Sequence, residues 1–209
     1  MSKAATAATG AGAERAGKTH GTTRPANRSE MILRAAGALF AERGYAAASV
    51  DEIGAAVGIT GPAIYSHFRS KDHLLAALLE QALDAIDDAL EAAVSSSASP
   101  RDALDAFLHG TIRVATEQSY LAGLYVHERH HLSDIDRRRL ERKRRAIFRT
   151  EVELLRQLRP DLGRDQIQLR LFVVVSGMLG SLSEFRTGLD VAAVADELHR
   201  MAIAALLVD

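Results

Sequence analysis

From residue 29 onward the apolar positions of this chain recur at helical spacing, and nowhere do they alternate as a half-buried strand requires. Between Ser29 and Arg43 the inward set is Ile32, Leu33, Ala36, Leu39 and Phe40, with Gly44 as the stop. Ser49 followed by Glu52 has the spacing of a capping box, in which each side chain satisfies a free amide at a helix start. Ile53 and Val57 lie one turn apart behind it, and Gly58 supplies the left-handed residue that closes a short helix. Thr60 caps a second short helix with Pro62 in its first turn, where a missing N–H costs nothing. Ile64 and Phe68 share one face of it. Two short helices about a tight glycine-containing turn make a helix-turn-helix.

The later pattern predicts a longer helical body. Ser70 caps a helix whose stripe is Leu74, Leu75, Leu78, Leu79, Ile86, Leu90 and Val94, and the run Ser95–Ser99 ends it. Ser99-Pro100-Arg101-Asp102 opens the next, with Leu104, Phe107, Leu108, Thr111, Ile112 and Ala115 inward. A shorter helix is expected around Tyr120–His131. A long one follows from Ser133 to about Arg159, carrying Ile135, Leu140, Ile147, Phe148, Val152, Leu155 and Leu158. Pro160-Asp161-Leu162-Gly163 breaks the pattern, Asp165 begins a further helix and Asp190 caps the last. The fold expected is all-α with about nine helices: a three-helix DNA-binding unit, then a helical body.

The span Leu169–Gly180 is apolar on nearly all sides, as in a helix buried on several faces, and Ser176, Gly177, Gly180 and Ser181 permit close approach of another helix. Leu171, Val174, Val175, Met178 and Leu182, with Val194, Leu198 and Met201 of the last helix, are therefore expected to form a homodimer interface; an intrachain core is the alternative.

Charge sharpens the picture. The 209 residues carry a net charge of −1, but residues 1–71 hold nine basic and five acidic residues, and the remainder seventeen and twenty-two. A positive front and a negative back suit a DNA reader on a regulatory body. Residues 1–27 lack bulky apolar side chains other than Met1 and are expected to form a disordered basic arm, either a solvated tail or a minor-groove contact. No cysteine occurs, which excludes disulfides and thiolate chemistry. No apolar run reaches the ~20 residues of a membrane span, and no signal-peptide core is present, so a cytoplasmic protein without a membrane partner is expected.

With Ile64 and Phe68 inward, steps of about 100° per residue turn Pro62, Ala63, Tyr65, Ser66 and Arg69 outward. Thr60 sits at the tip, His67 on the flank, and Lys71 just beyond the cap is placed to clamp a phosphate. The run from Arg28 to about Leu79 resembles the DNA-binding region of the TetR family of transcriptional regulators. The likeness rests on Phe40-Ala-Glu-Arg-Gly-Tyr45, Ser49-Val50-x-x-Ile53, Ala56-Val57-Gly58-Ile59 and Ala63-Ile64-Tyr65-x-His67-Phe68-x-Ser70-Lys71, in order. Ala48 stands where the family commonly has Thr, and Gly61-Pro62 where it has longer polar residues. Few base-edge hydrogen bonds are then expected, with apolar contacts from Thr60, Ala63 and Tyr65. The resemblance implies phosphate contacts from Tyr65, His67 and Lys71, and it implies dimerisation by the last two helices. The DNA-binding set is thus Arg28, Ser49, Thr60, Gly61, Pro62, Ala63, Tyr65, Ser66, His67, Arg69 and Lys71.

Residues 28–72 are expected to bind a palindromic double-stranded operator as a repressor, and residues 73–209 to dimerise and hold a small, largely apolar effector. Phe107, Leu108, Tyr120, Tyr125, His127, Phe148 and Phe172 are the expected pocket residues, as large side chains in mid-body. The dense run Arg137–Arg139, Arg142–Arg145 and Arg149 is either a solvated face or an anion site for an acyl-CoA or lipid-like ligand. No catalytic residue, metal or cofactor is expected. The alternative is a zinc-dependent hydrolase, or a metal-responsive regulator, using the H-E-x-x-H pattern of His127, Glu128 and His131, with Glu151 or Glu153 as a distant ligand.

Overall fold

The computed structural model describes residues 25–117, 124, 128–184 and 190–208. Among these there are eight α-helices and no strand: α1 (Pro25–Arg43), α2 (Val50–Ala56), α3 (Gly61–Ile64), α4 (Lys71–Ser96), α5 (Pro100–Glu117), α6 (Asp134–Leu158), α7 (Arg164–Glu184) and α8 (Val191–Leu207). A single 3-10 turn, Arg129–His131, is described before α6.

The start signals act as their chemistry dictates. Ser49 accepts from the Glu52 amide while Glu52 accepts from the Ser49 amide, so the capping box is complete. Ser70, Ser99, Ser133 and Asp190 accept from amides in the first turns of α4, α5, α6 and α8. Gly44 and Gly58 take positive φ, 80° and 72°, where the chain leaves α1 and α2. At α1 the helix begins at Pro25 rather than Ser29, because proline suits a first turn, and this shortens the arm expected over residues 1–27.

One apolar core runs through the molecule. Ile32, Ala36 and Phe40 of α1 meet Ile53, Ile64 and Phe68 on one side and Leu74, Leu75, Leu78 and Leu79 of α4 on the other. Helix α4 continues against α5 and α6, while α8 packs on α5 and α7. Two expected core residues lie outside it: Val94 near the end of α4 and Ile135 in the first turn of α6, which is 77% exposed. Both fall near helix ends. Leu83 takes the inward place between Leu79 and Leu90.

Helix α7 divides its apolar residues between two faces. Leu171, Val175, Met178 and Leu182 enter the chain's own core, and Val174 is half-buried. The interface expected at these residues is therefore intrachain packing. Leu169, Phe172 and Val173 form the exposed face, continuing along Ser176 and Gly177. On α8, Val194 and Leu198 are half-buried, and Met201 is exposed.

Candidate nucleic-acid interface and effector cavity

Helices α2 and α3 approach so closely that side chains are excluded between them. A Cβ added at Gly54 would stand 2.8 Å from the Ile59 carbonyl oxygen and 2.9 Å from the Gly61 nitrogen. One added at Gly61 would fall within 1.9 Å of Asp51 Oδ1. Gly61 is buried, so its role is this approach, and it is removed from the DNA-binding set expected for it.

Beyond Ile64 the chain tightens into successive turns, with the Tyr65, Ser66 and His67 amides donating to Pro62, Ala63 and Ile64. The outward face survives this tightening. Ile64 and Phe68 are buried, Tyr65 is 52% exposed, and Thr60, Pro62, Ser66 and Arg69 are exposed. Ala63 is half-buried. Thr60 makes no capping hydrogen bond with its hydroxyl, whereas Ser66 donates to the Ala63 carbonyl at 2.7 Å.

Four of the expected DNA contacts also hold the head together. Ser49 serves the capping box, and Arg28 donates to the Val57 carbonyl at 3.3 Å. His67 Nδ1 lies 3.1 Å from Ser29 Oγ. Lys71 Nζ donates to the Tyr45 carbonyl and stands 4.3 Å above the Tyr45 ring, a cation–π contact. Burial lowers the Lys71 pKa.

Tyr45 is where α1, α4 and the 128–131 turn meet. Its hydroxyl donates to Asp72, its ring packs on Phe40 at 5.1 Å and on His131 at 4.5 Å, and its amide donates to Glu128 at 3.5 Å. Burial and the Asp72 carboxylate raise its pKa. The turn at 128–131 therefore docks directly on the helix-turn-helix unit.

The same turn sends Arg129 to a cavity of about 410 Å³ between α4, α5, α6 and α7. Its walls are mainly apolar: Leu79, Leu83, Ile86, Val114, Ala115, Phe148, Phe172, Val175 and Leu179. Arg129, Arg144 and Arg145 supply positive charge, and Glu151 is the acid among the lining residues. Arg144 donates to Glu151 at 3.4 Å and lies 5.1 Å from the Phe148 ring. Burial raises the Glu151 pKa, and Arg144 opposes the shift. The Thr111 hydroxyl, buried in the wall, has no hydrogen-bond partner among the described residues. Buried polar groups are normally satisfied, so this one favours a ligand with a polar atom at that point.

Of the residues expected to form the pocket, Phe148 and Phe172 line this cavity. Phe107 and Leu108 do not: both are fully buried in the core, and α5 reaches the cavity one turn later at Thr111, Val114 and Ala115. Tyr120, Tyr125 and His127 lie outside the described residues. Arg129, Thr111 and Glu151 were absent from the expected pocket set. Thr111 carried the only early signal, a hydroxyl on an apolar stripe.

Part of the rest of the arginine-rich run is paired, Arg137 with Asp134 among them. Arg139 meets Glu80 at 3.1 Å and Asp136 at 3.3 Å, and Lys143 pairs with Asp84. Of the zinc-hydrolase pattern, Glu128 and His131 fall among the described residues and His127 does not. Such a site needs its histidines on successive turns of one α-helix, and the backbone at 129–131 is a 3-10 turn. Glu128, the required base, is engaged by the Tyr45 amide and lies 3.4 Å from His131. Glu151 pairs with Arg144 and Glu153 with Arg156, so neither expected distant ligand turns toward it.

Comparison with known proteins gives a consistent result. Residues 32–78 match the family model for bacterial regulatory proteins of the tetR family. The HTH-type transcriptional repressor Rv1474c of Mycobacterium tuberculosis is 31% identical over 178 residues, covering 82% of this chain and 90% of that protein. The TetR family regulator PfmR of Thermus thermophilus superposes with a TM-score of 0.71 at 27% identity, over 82% of this chain and 96% of its own. The ketosteroid transcriptional regulator KstR2 of M. tuberculosis gives 0.72 at 25% identity, over 85% and 93%.

Proposed function

The chain belongs to the TetR family of bacterial transcriptional regulators, and from that premise we propose a homodimeric repressor released from its operator by an anionic amphiphile. In this reading residues 28–72 form the operator-binding head and residues 73–209 the effector-binding and dimerising body, with the residues before α1 an arm. Thr60, Pro62, Ala63, Tyr65, Ser66 and Arg69 face the duplex, and two copies place their α3 turns in successive major grooves. The partner packs on Leu169, Phe172 and Val173 beside Ser176 and Gly177, joined by Met201. An exposed apolar face on a helix otherwise at home in the core favours this seam.

The observation that carries the effector reading is the cavity itself. An apolar wall suits an acyl chain, and three arginines suit the phosphates or carboxylate of its head, as in an acyl-CoA. Arg129 and the Glu128–His131 clasp on Tyr45 share one turn. A head group that draws Arg129 inward loosens the clasp and lets the helix-turn-helix unit tilt. By linkage, whatever factor the effector takes from operator affinity, the operator takes from effector affinity.

The test is release from a duplex selected from random sequence. Fluorescence anisotropy of that duplex, titrated with long-chain acyl-CoA, fatty acid or coenzyme A alone, should show release by the acylated ligand and none by the unacylated carrier. Arg144→Ala should weaken release while sparing operator affinity. Indifference of the complex to every anionic amphiphile would overturn the effector assignment.

A further inference from the structure

A second cluster of ligand-bearing side chains lies where α5 meets α8, apart from the cavity and the DNA-facing turn. Asp105 and His109 are one turn apart on α5, and His199 of α8 reaches across to them. His199 Nε2 is 3.2 Å from Asp105 Oδ1, and His109 Nδ1 is 3.4 Å from Asp105 Oδ2. The two imidazole rings are 3.6 Å apart between centroids, and one ligand atom from each residue can be chosen so that all lie within 4.8 Å of one another. His199 Nε2 is shielded from water and has no hydrogen-bond partner among the described residues, although the carboxylate is close.

These spacings, ordinary for an ion pair, also suit a shared metal ion. Four ligands about 2.0–2.1 Å from Zn²⁺ stand about 3.3–3.4 Å from one another, which is the separation found here between carboxylate and ring nitrogens. Two neutral imidazoles and one carboxylate are the donor set that late divalent transition metals prefer. An orphaned, desolvated ring nitrogen aimed at the cluster is what a coordination bond would satisfy. The Asp105 carbonyl lies 3.0 Å from His109 Nδ1 and accepts a hydrogen bond from the Nδ1–H tautomer when no cation is bound; coordination through Nδ1 takes the other neutral tautomer, with the proton on Nε2. Arg101, one turn earlier, is the opposing charge near His199.

We propose that Asp105, His109 and His199 form a binding site for a divalent transition-metal ion of the Zn²⁺ class, with its fourth position open to water. The site joins α5, which walls the cavity through Thr111 and Val114, to the C-terminal helix. It stands independently of the operator and effector readings. The other histidine cluster, Glu128 with His130 and His131, is the rival location. Its residues sit on one short turn, and Glu128 and His131 are already engaged with Tyr45.

The full chain, stripped with a chelator, is titrated with Zn²⁺ against a chromophoric competitor. One ion per chain is expected. Asp105→Asn, His109→Ala and His199→Ala should each weaken it by about tenfold or more, since losing a direct ligand costs at least as much as losing an outer-shell partner. A His130→Ala/His131→Ala variant should bind as the wild type does. Far-UV circular dichroism checks folding; Asp105 and His109 are partly exposed, so their variants carry the test if His199→Ala misfolds. Failure of the wild type to bind, or binding kept in the α5 variants and lost in His130→Ala/His131→Ala, overturns the assignment.

Discussion

Gly54→Ala sets two effects of known sign against each other. On helix propensity alone, alanine in α2 is favoured over glycine by about 0.8–1 kcal/mol. The structure adds a collision, because the new methyl would stand 2.8 Å from the Ile59 carbonyl oxygen and 2.9 Å from both Thr60 C and Gly61 N. All three are backbone atoms, and the segment is tied by the Ile59 amide to the Gly54 carbonyl at 2.9 Å. Restoring contact near the 3.5–4.0 Å optimum for carbon pairs needs a shift of roughly half an ångström or more, applied at the start of α3. Overpacking of that kind costs about 1–3 kcal/mol, and each weakened hydrogen bond about 1 kcal/mol more. The collision wins, by about 1–3 kcal/mol net. At about 2–4 °C per kcal/mol for a chain of this size, the variant should melt several degrees lower. Operator affinity should fall as well, since α3 is displaced. Calorimetry and duplex anisotropy on one preparation read both effects. A variant that melts at or above the wild type and binds the duplex equally well would refute the close approach of α2 and α3.

Three further outcomes follow from particular residues. Leu169→Asp combined with Val173→Asp should yield monomers in sedimentation velocity with unchanged helicity, because the two side chains are exposed in the single chain and an interface there would have to bury the new charges. Glu151 has a folded pKa above its usual 4.5, so it retains its proton in the fold where the unfolded chain has lost it. Its contribution is fully present below pH 4.5 and is lost as pH rises through the folded pKa. Glu151→Gln should flatten the denaturation midpoint over that window; an unchanged slope would place the source elsewhere. Lys71→Ala should lower both the melting temperature and operator affinity, since its ammonium ties down the Tyr45 carbonyl, whereas a pure phosphate clamp would leave the melting temperature alone.

Much of this architecture was legible in the sequence because caps and turns are local. Ser49 with Glu52, Ser70, Ser99, Gly44 and Gly58 announce themselves within one helical turn. The outward face at Tyr65 followed from the inward pair Ile64 and Phe68. What the sequence hid depends on distant partners. Leu169–Gly180 is apolar all round, so its pattern has no direction, and only packing separates Leu171 from Phe172. Gly61 and Gly54 read as turn and helix residues until α2 is set against α3. Arg28 and Lys71 look like DNA ligands alone until Val57 and Tyr45 arrive beside them. Phe107 and Phe148 have equal bulk, but one fills the core and the other faces the cavity. Asp105 and His199 are separated by most of the body, and neither signals the other.

The central claim, that the face from Thr60 to Arg69 reads duplex DNA, is tested most directly by operator affinity against salt for the wild type and Tyr65→Ala. The account predicts a steep fall in affinity with salt, saturation at an even number of chains per duplex, and markedly weaker binding by an equally stable Tyr65→Ala. Binding that is flat with salt, or equally tight in the variant, would contradict it.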